Sequence, residues 1–207
     1  VVNAAASYKA TYTQNVKPSD PNTPAETGYV KVVFEAGANG ELAAHASAGG
    51  KTAFDVYPGT KFSEVKALMP TPNANEGYAF KEWTPGLLAD TDAVTVEKTY
   101  TANFEEDATK WANITFAPGT NGTIASTETI SYKVLKSKTL TASGVIAPAV
   151  TANPGYTFVE FKNAGAALDL TTRPSGDATY TATYTEKANI TITYNAGTGG
   201  TVGIASE

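Results

Sequence analysis

No cysteine occurs among the 207 residues. That excludes disulfides, thiolate zinc sites and cysteine nucleophiles together. It assigns no compartment, because a secreted chain held by packing alone satisfies it as well as a cytosolic one. Histidine is nearly missing too: His45 is the single one. A general base needs a partner nucleophile, and Thr127 stands at the matching position of the second repeat copy. His45 is therefore read as an exposed strand or loop residue. Charge is scarce at 17% of residues, with a net charge of -5. Nucleic-acid binding calls for clustered Lys and Arg, and most lysines here stand singly. No apolar run approaches the roughly 18–20 residues of a membrane-spanning helix. The first residue is Val1, so an excised or processed piece of a longer protein is expected.

What is abundant points to sheet. Tyr 11 and Phe 8, with many Thr and Val, favour pleated structure, and Gly 18 and Pro 11 supply turns. The dominant feature is repetition. Val32-Val33-Phe34-Glu35-Ala36-Gly37-Ala38-Asn39-Gly40 matches Ile114-Thr115-Phe116-Ala117-Pro118-Gly119-Thr120-Asn121-Gly122. A third copy starts at Ile192-Thr193-Tyr194. Gly77-Tyr78-Ala79-Phe80-Lys81-Glu82-Trp83 matches Gly155-Tyr156-Thr157-Phe158-Val159-Glu160-Phe161. A closing strand recurs as Tyr8 to Tyr12, Tyr100 to Phe104 and Tyr180 to Tyr184.

Each whole unit reads alike. An opening strand alternates apolar and polar residues, and Gly-x-Asn-Gly signals a hairpin. A second strand is expected near Leu42 to Val56, and near Ile124 to Val134. A short helix follows in the first unit, capped by Thr60, with Phe62, Val65, Leu68 and Met69 on one apolar face. Its counterpart, Thr139 to Ile146, contains Gly144 and several Ser/Thr, so only one or two turns are expected there. Phe80 and Phe158 are placed in the core, where truncation costs roughly 3–5 kcal/mol. Trp83 falls on the opposite face from Phe80 unless a bulge intervenes.

These features divide the chain into a closing strand of a preceding unit (1–14), a proline-rich linker (15–28), a first unit (29–106), a second unit (107–187) and an opening hairpin of a following unit (188–207). Three prolines between Pro18 and Pro24 make the linker an extended, stiff spacer. The connectors after each whole unit are short, as for neighbours packed end to end.

Strand, Gly-x-Asn-Gly turn, helix, proline, Gly-Tyr-x-Phe-x-x-Trp and closing Tyr-x-Ala-x-Tyr together resemble the Listeria–Bacteroides repeat, the internalin B-repeat type. Mucin-binding-type repeats are an alternative relative. The resemblance covers nearly the whole chain outside the linker. It implies α+β units of β-grasp type, strand-dominated, each with about four strands and one short helix. It also implies extracellular repeats of bacterial surface proteins.

Catalytic constellations are not expected. Asp90-Thr91-Asp92 and Glu105-Glu106-Asp107 lack the spacing of a calcium loop and do not recur, so solvated acidic turns are the reading. Glu82 and Glu160 recur once per unit, whereas glycoside hydrolysis needs a facing pair. No metal and no cofactor is expected, and an enzyme is not. The function expected is a stalk or fibre segment at the cell surface or wall, with an adhesive module for a host protein or glycan as the alternative. Candidate contact residues are Trp83 and Trp111, as junction covers or stacking platforms. Tyr8, Tyr12, Ile192 and Tyr194 are further candidates, for head-to-tail pairing between repeats or copies of the chain.

Overall fold

The computed structural model describes residues 9–10, 12–43 and 50–203. His45 and Tyr8 lie outside the described residues. The described residues are strand-dominated with one lone α-helix among them, and the chain divides into two compact units after Ala108.

In the first unit, strand β2 (Val30–Ala36) occupies the centre of a five-stranded sheet. It pairs antiparallel with β4 (Lys51–Val56) and parallel with β7 (Lys98–Glu106). Strand β6 (Tyr78–Thr84) lies antiparallel beyond β7. The other edge is β1 (Val16–Ser19), antiparallel to β4. Part of the expected spacer is thus an edge strand rather than a free connector. Val16 is buried there, and Pro18 is tolerated because an edge strand has an unpaired side. A two-stranded ribbon of β3 (Gly40–Leu42) and β5 (Pro72–Ala74) completes the unit.

The second unit repeats the order of four of these strands, with its fifth strand on the opposite edge. Strand β8 (Trp111–Ala117) pairs antiparallel with β10 (Ser131–Leu135) and parallel with β14 (Ala178–Glu186). Then come β12 (Tyr156–Asn163) and the short β13 (Ala166–Ala167). Strands β9 (Gly122–Ile124) and β11 (Val150–Ala152) form the matching ribbon. The opening and closing strands keep one register: Phe34 faces Tyr100, and Phe116 faces Tyr180. Three of the four pairings in each five-stranded sheet are antiparallel, and the pair of opening and closing strands is parallel.

The Gly-x-Asn-Gly stretch does not close a hairpin on the opening strand. The chain after it departs into the ribbon and returns as β4 or β10. Its last glycine is a seat for an aromatic ring: a Cβ on Gly40 would strike the Phe104 ring, and one on Gly122 would strike Tyr184. Asn39, not Gly40, takes the positive φ of 67°. In the second unit the first glycine, Gly119, takes φ 69°, and a Cβ there would press on the Ala182 carbonyl oxygen. Gly119→Ala is expected to cost about 2–4 kcal/mol, summing a left-handed penalty and a backbone clash. Gly37→Ala, at a position without positive φ, is expected to cost less. Urea unfolding of the two variants checks the order, and equal losses would refute it.

Helix α1 (Phe62–Lys66) follows β4 and buries Phe62 and Val65. Thr60 does not cap it: Lys61 holds the cap position, and the Thr60 hydroxyl donates to the Tyr57 carbonyl at 2.7 Å. Leu68 is exposed rather than on the buried face. The second unit has no helix at this place. Thr139 to Gly144 form hydrogen-bonded turns, with the Ala142 amide donating to the Thr139 hydroxyl at 3.1 Å. Gly144 and the Ser/Thr residues favour that outcome over a helix.

Both Gly-Tyr-x-Phe strands carry a bulge, between Phe80 and Glu82 and between Phe158 and Glu160. The extra residue turns the next aromatic back to the core face. Trp83 is 8% exposed and meets the Phe34 ring edge-on at 5.3 Å. Phe161 is 4% exposed and meets Phe116 in the same way at 5.0 Å. Phe80 sits at the rim, 39% exposed, and Phe158 is half-buried. The deep core position belongs to the residue after the bulge, which corrects the placement of Phe80.

Candidate functional site

The expected contact residues are scattered. Trp83 is a core residue and offers no platform. Trp111 opens β8, half-buried, with the Lys133 ammonium 5.4 Å from its ring centroid. Tyr12 is 92% exposed. Ile192 and Tyr194 are exposed, and no strand spans residues 187–203. Their counterparts in the whole units, Val32, Phe34, Ile114 and Phe116, are among the deepest core residues.

The acidic stretches bear out no chelating geometry. Asp90 pairs with Lys66 at 2.8 Å, and Glu105 with Lys81 at 3.0 Å. Asp92 accepts from the Ala89 amide at 3.0 Å, closing a turn. Among the described residues no group of three or more His, Cys, Asp or Glu side chains converges on one point.

The densest polar cluster lies on the first sheet, in a row across three strands. Lys17 on β1 and Lys31 on β2 both stand opposite Asp55 on β4. Lys31 and Asp55 are 3.6 Å apart and each side chain is 8% exposed. The Lys31 ammonium also donates to the carbonyls of Asp20, at 2.6 Å, and Thr23, at 2.5 Å. The Glu26 amide donates to Asp55 Oδ2 at 3.0 Å, and the Glu26 carboxylate pairs with Lys17. Hydrogen bonding to Glu26 holds the Lys17 ammonium above its ordinary range. This cluster ties the 20–26 loop to the sheet. It is not repeated, since Asn113 and Lys133 occupy the places of Lys31 and Asp55.

Each unit has a cleft at one corner, where the strand leaving the sheet turns into the next segment. In the first unit it measures about 520 Å³ and is lined by Asn15, Tyr57, Gly59, Lys61 and Glu64 among others. Tyr57 is 48% exposed. Its ring is braced edge-on by Tyr29 at 5.8 Å, and the Tyr29 hydroxyl donates to the Gln14 carbonyl at 3.0 Å. The Tyr57 amide donates to the Asn15 carbonyl at 2.8 Å. The Asn15 side-chain amide donates to Glu64 Oε2 at 3.0 Å. At the matching corner of the second unit a cleft of about 180 Å³ is lined by Trp111, Leu135, Lys138 and Ser143 among others. Trp111 matches Tyr29, and Leu135 matches Tyr57, by the shared register. A third cleft, about 280 Å³, between Val16, Pro18, Phe54 and Leu68, is mostly apolar and offers only Gln14 and Thr52 as polar partners.

Neither Tyr57 nor its polar neighbours stand out in the sequence, because Tyr57-Pro58-Gly59 and Glu64 have no copies in the second unit. Comparison with protein-family models, with curated proteins and with solved structures finds no match.

Proposed function

We propose that the chain is a structural repeat segment, a stalk or fibre piece, of an extracellular bacterial surface protein, built from tandem β-grasp-like units and without a catalytic role. The observation that carries this reading is what the two units share and what they do not. The order of four strands, the central register, the bulge and the aromatic seat are common to both, whereas the polar cluster of the first unit is missing from the second. A spacer needs each unit only to fold and to meet its neighbour. No helix among the described residues is long and apolar enough to cross a membrane.

Within this reading the partners are neighbouring repeats or further copies, head to tail. Ile190 and Ile192, 85% and 53% exposed, belong to a copy of the opening strand and would gain burial beside a Tyr8–Tyr12 closing strand. Duplicating residues 107–187 should lengthen the particle in small-angle scattering by one unit, while a particle of unchanged maximum dimension sinks the stalk. Deleting residues 1–14 should abolish head-to-tail multimers, and multimers persisting undiminished sink the exchange. The second reading, an adhesive module, is favoured by the braced tyrosine beside a polar cleft in the first unit.

A further inference from the structure

The corner cleft of the first unit has a composition that the core does not require. Tyr57 is half-exposed although it continues directly from Val56, which is fully buried. A tyrosine in that position stays in water unless something covers it. Its ring is nonetheless held in place, by a T-shaped contact with Tyr29, while the bond from its amide to the Asn15 carbonyl fixes the backbone. Beside it stand Asn15 and Glu64, hydrogen-bonded to each other through one amide N–H and one carboxylate oxygen. The Asn15 side-chain oxygen, its second side-chain N–H and the other Glu64 oxygen keep their capacity for further bonds. Lys61 lines the same cleft and adds a donor. Gly59, with φ 95° and open space where a Cβ would stand, leaves the floor free of side chain.

We infer that this cleft is a binding site for one neutral sugar ring. A pyranose has a face of C–H groups that packs on an aromatic ring and a rim of hydroxyls that both donate and accept. A rigid tyrosine supplies the first at small entropic cost. The Asn15–Glu64 pair supplies adjacent donors and acceptors for two neighbouring hydroxyls. Glu64 and Lys61 bring one negative and one positive charge to the lining, so the cleft offers no net charge to an ionised sugar and suits a neutral one. The second unit opens a smaller cleft at this corner, with Leu135 in the place of Tyr57 and its aromatic, Trp111, in the place of the bracing Tyr29, so the platform belongs to the first unit. The site goes beyond the stalk reading and stands or falls separately from it.

The test uses the whole 207-residue protein and simple glycosides. Methyl β-glucopyranoside, methyl β-galactopyranoside and N-acetylglucosamine serve as neutral probes, and methyl β-glucuronide as the acidic counterpart. At least one neutral probe is expected to shift the Asn15 side-chain amide NMR signal saturably. The glucuronide is expected to bind no more tightly than the glucoside, and Lys61→Gln, which leaves Glu64 unopposed, to weaken glucuronide binding further. Tyr57→Ala is expected to weaken binding by about tenfold or more, and Tyr57→Phe, which keeps the platform and the fold, to retain it. The assignment is overturned by any one of three results: no response to all three neutral probes, unchanged binding by Tyr57→Ala, or tighter binding of the glucuronide.

Discussion

Replacing Trp83 with alanine is expected to cost the first unit about 3–5 kcal/mol, the range for a large buried aromatic. The indole is in contact with Phe34, which also stacks on Tyr100 at 5.4 Å and meets Phe54 at 6.3 Å. Removing it therefore opens a cavity at the centre of the aromatic cluster. Phe80→Ala is the informative comparison. Its ring touches the same cluster, at 5.9 Å from Trp83, but from the rim. Its loss is expected to be clearly smaller. Denaturant unfolding followed by circular dichroism, with amide exchange at Phe34 and Tyr100 reporting on the first unit alone, measures both. If Phe80→Ala proves the more damaging, the bulge has been misplaced and the strand runs in register to its end.

A loss of similar size is expected from Lys31→Met. The change leaves Asp55 buried without its counter-charge and orphans the carbonyls of Asp20 and Thr23, and breaking a buried pair from one side costs roughly 3–5 kcal/mol. The double variant Lys31→Met, Asp55→Leu removes both charges, so part of the loss should return. The 20–26 loop loses its anchor in both variants. Amide exchange at Glu26, whose N–H is bonded to Asp55, should accelerate in both. A single variant within about 1 kcal/mol of the parent would mean that the ammonium contributes little there.

The recurring aromatics and glycines made the tandem units legible before any coordinate. Their alternation set Ile114 and Phe116 on one face of the opening strand, and that face is the buried one. What stayed hidden has physical reasons. A bulge adds one residue without any composition of its own, so the spacing from Phe80 to Trp83 put the indole on the wrong face. Asn-Gly reads as a hairpin wherever it stands. The requirement on Gly40 came instead from Phe104, sixty-odd positions away, which no local pattern reports. The Lys17–Asp55–Lys31 row was invisible for the same reason: it exists only once β1, β4 and β2 lie side by side. Val16–Ser19 carried too few residues and one proline, and so read as linker. At the candidate site, Tyr57 looked like any exposed aromatic after a strand, and its bracing by Tyr29 depends on the pairing of β2 with β4.

The parallel central pair gives the second unit a direction in which it resists load. The chain enters at Trp111, at the start of β8, and leaves at Glu186, at the end of β14, and these two strands lie side by side pointing the same way. Tension on the two ends pulls adjacent strands past each other, so their shared hydrogen bonds bear the force together instead of opening one after another. The first unit meets tension differently: the load enters at β1, a four-residue edge strand that runs parallel to β2, so its few bonds to β4 are sheared before the β2–β7 pair is loaded. Pulled at both ends, the protein would give a little length at low force and hold the rest until the central pairs shear.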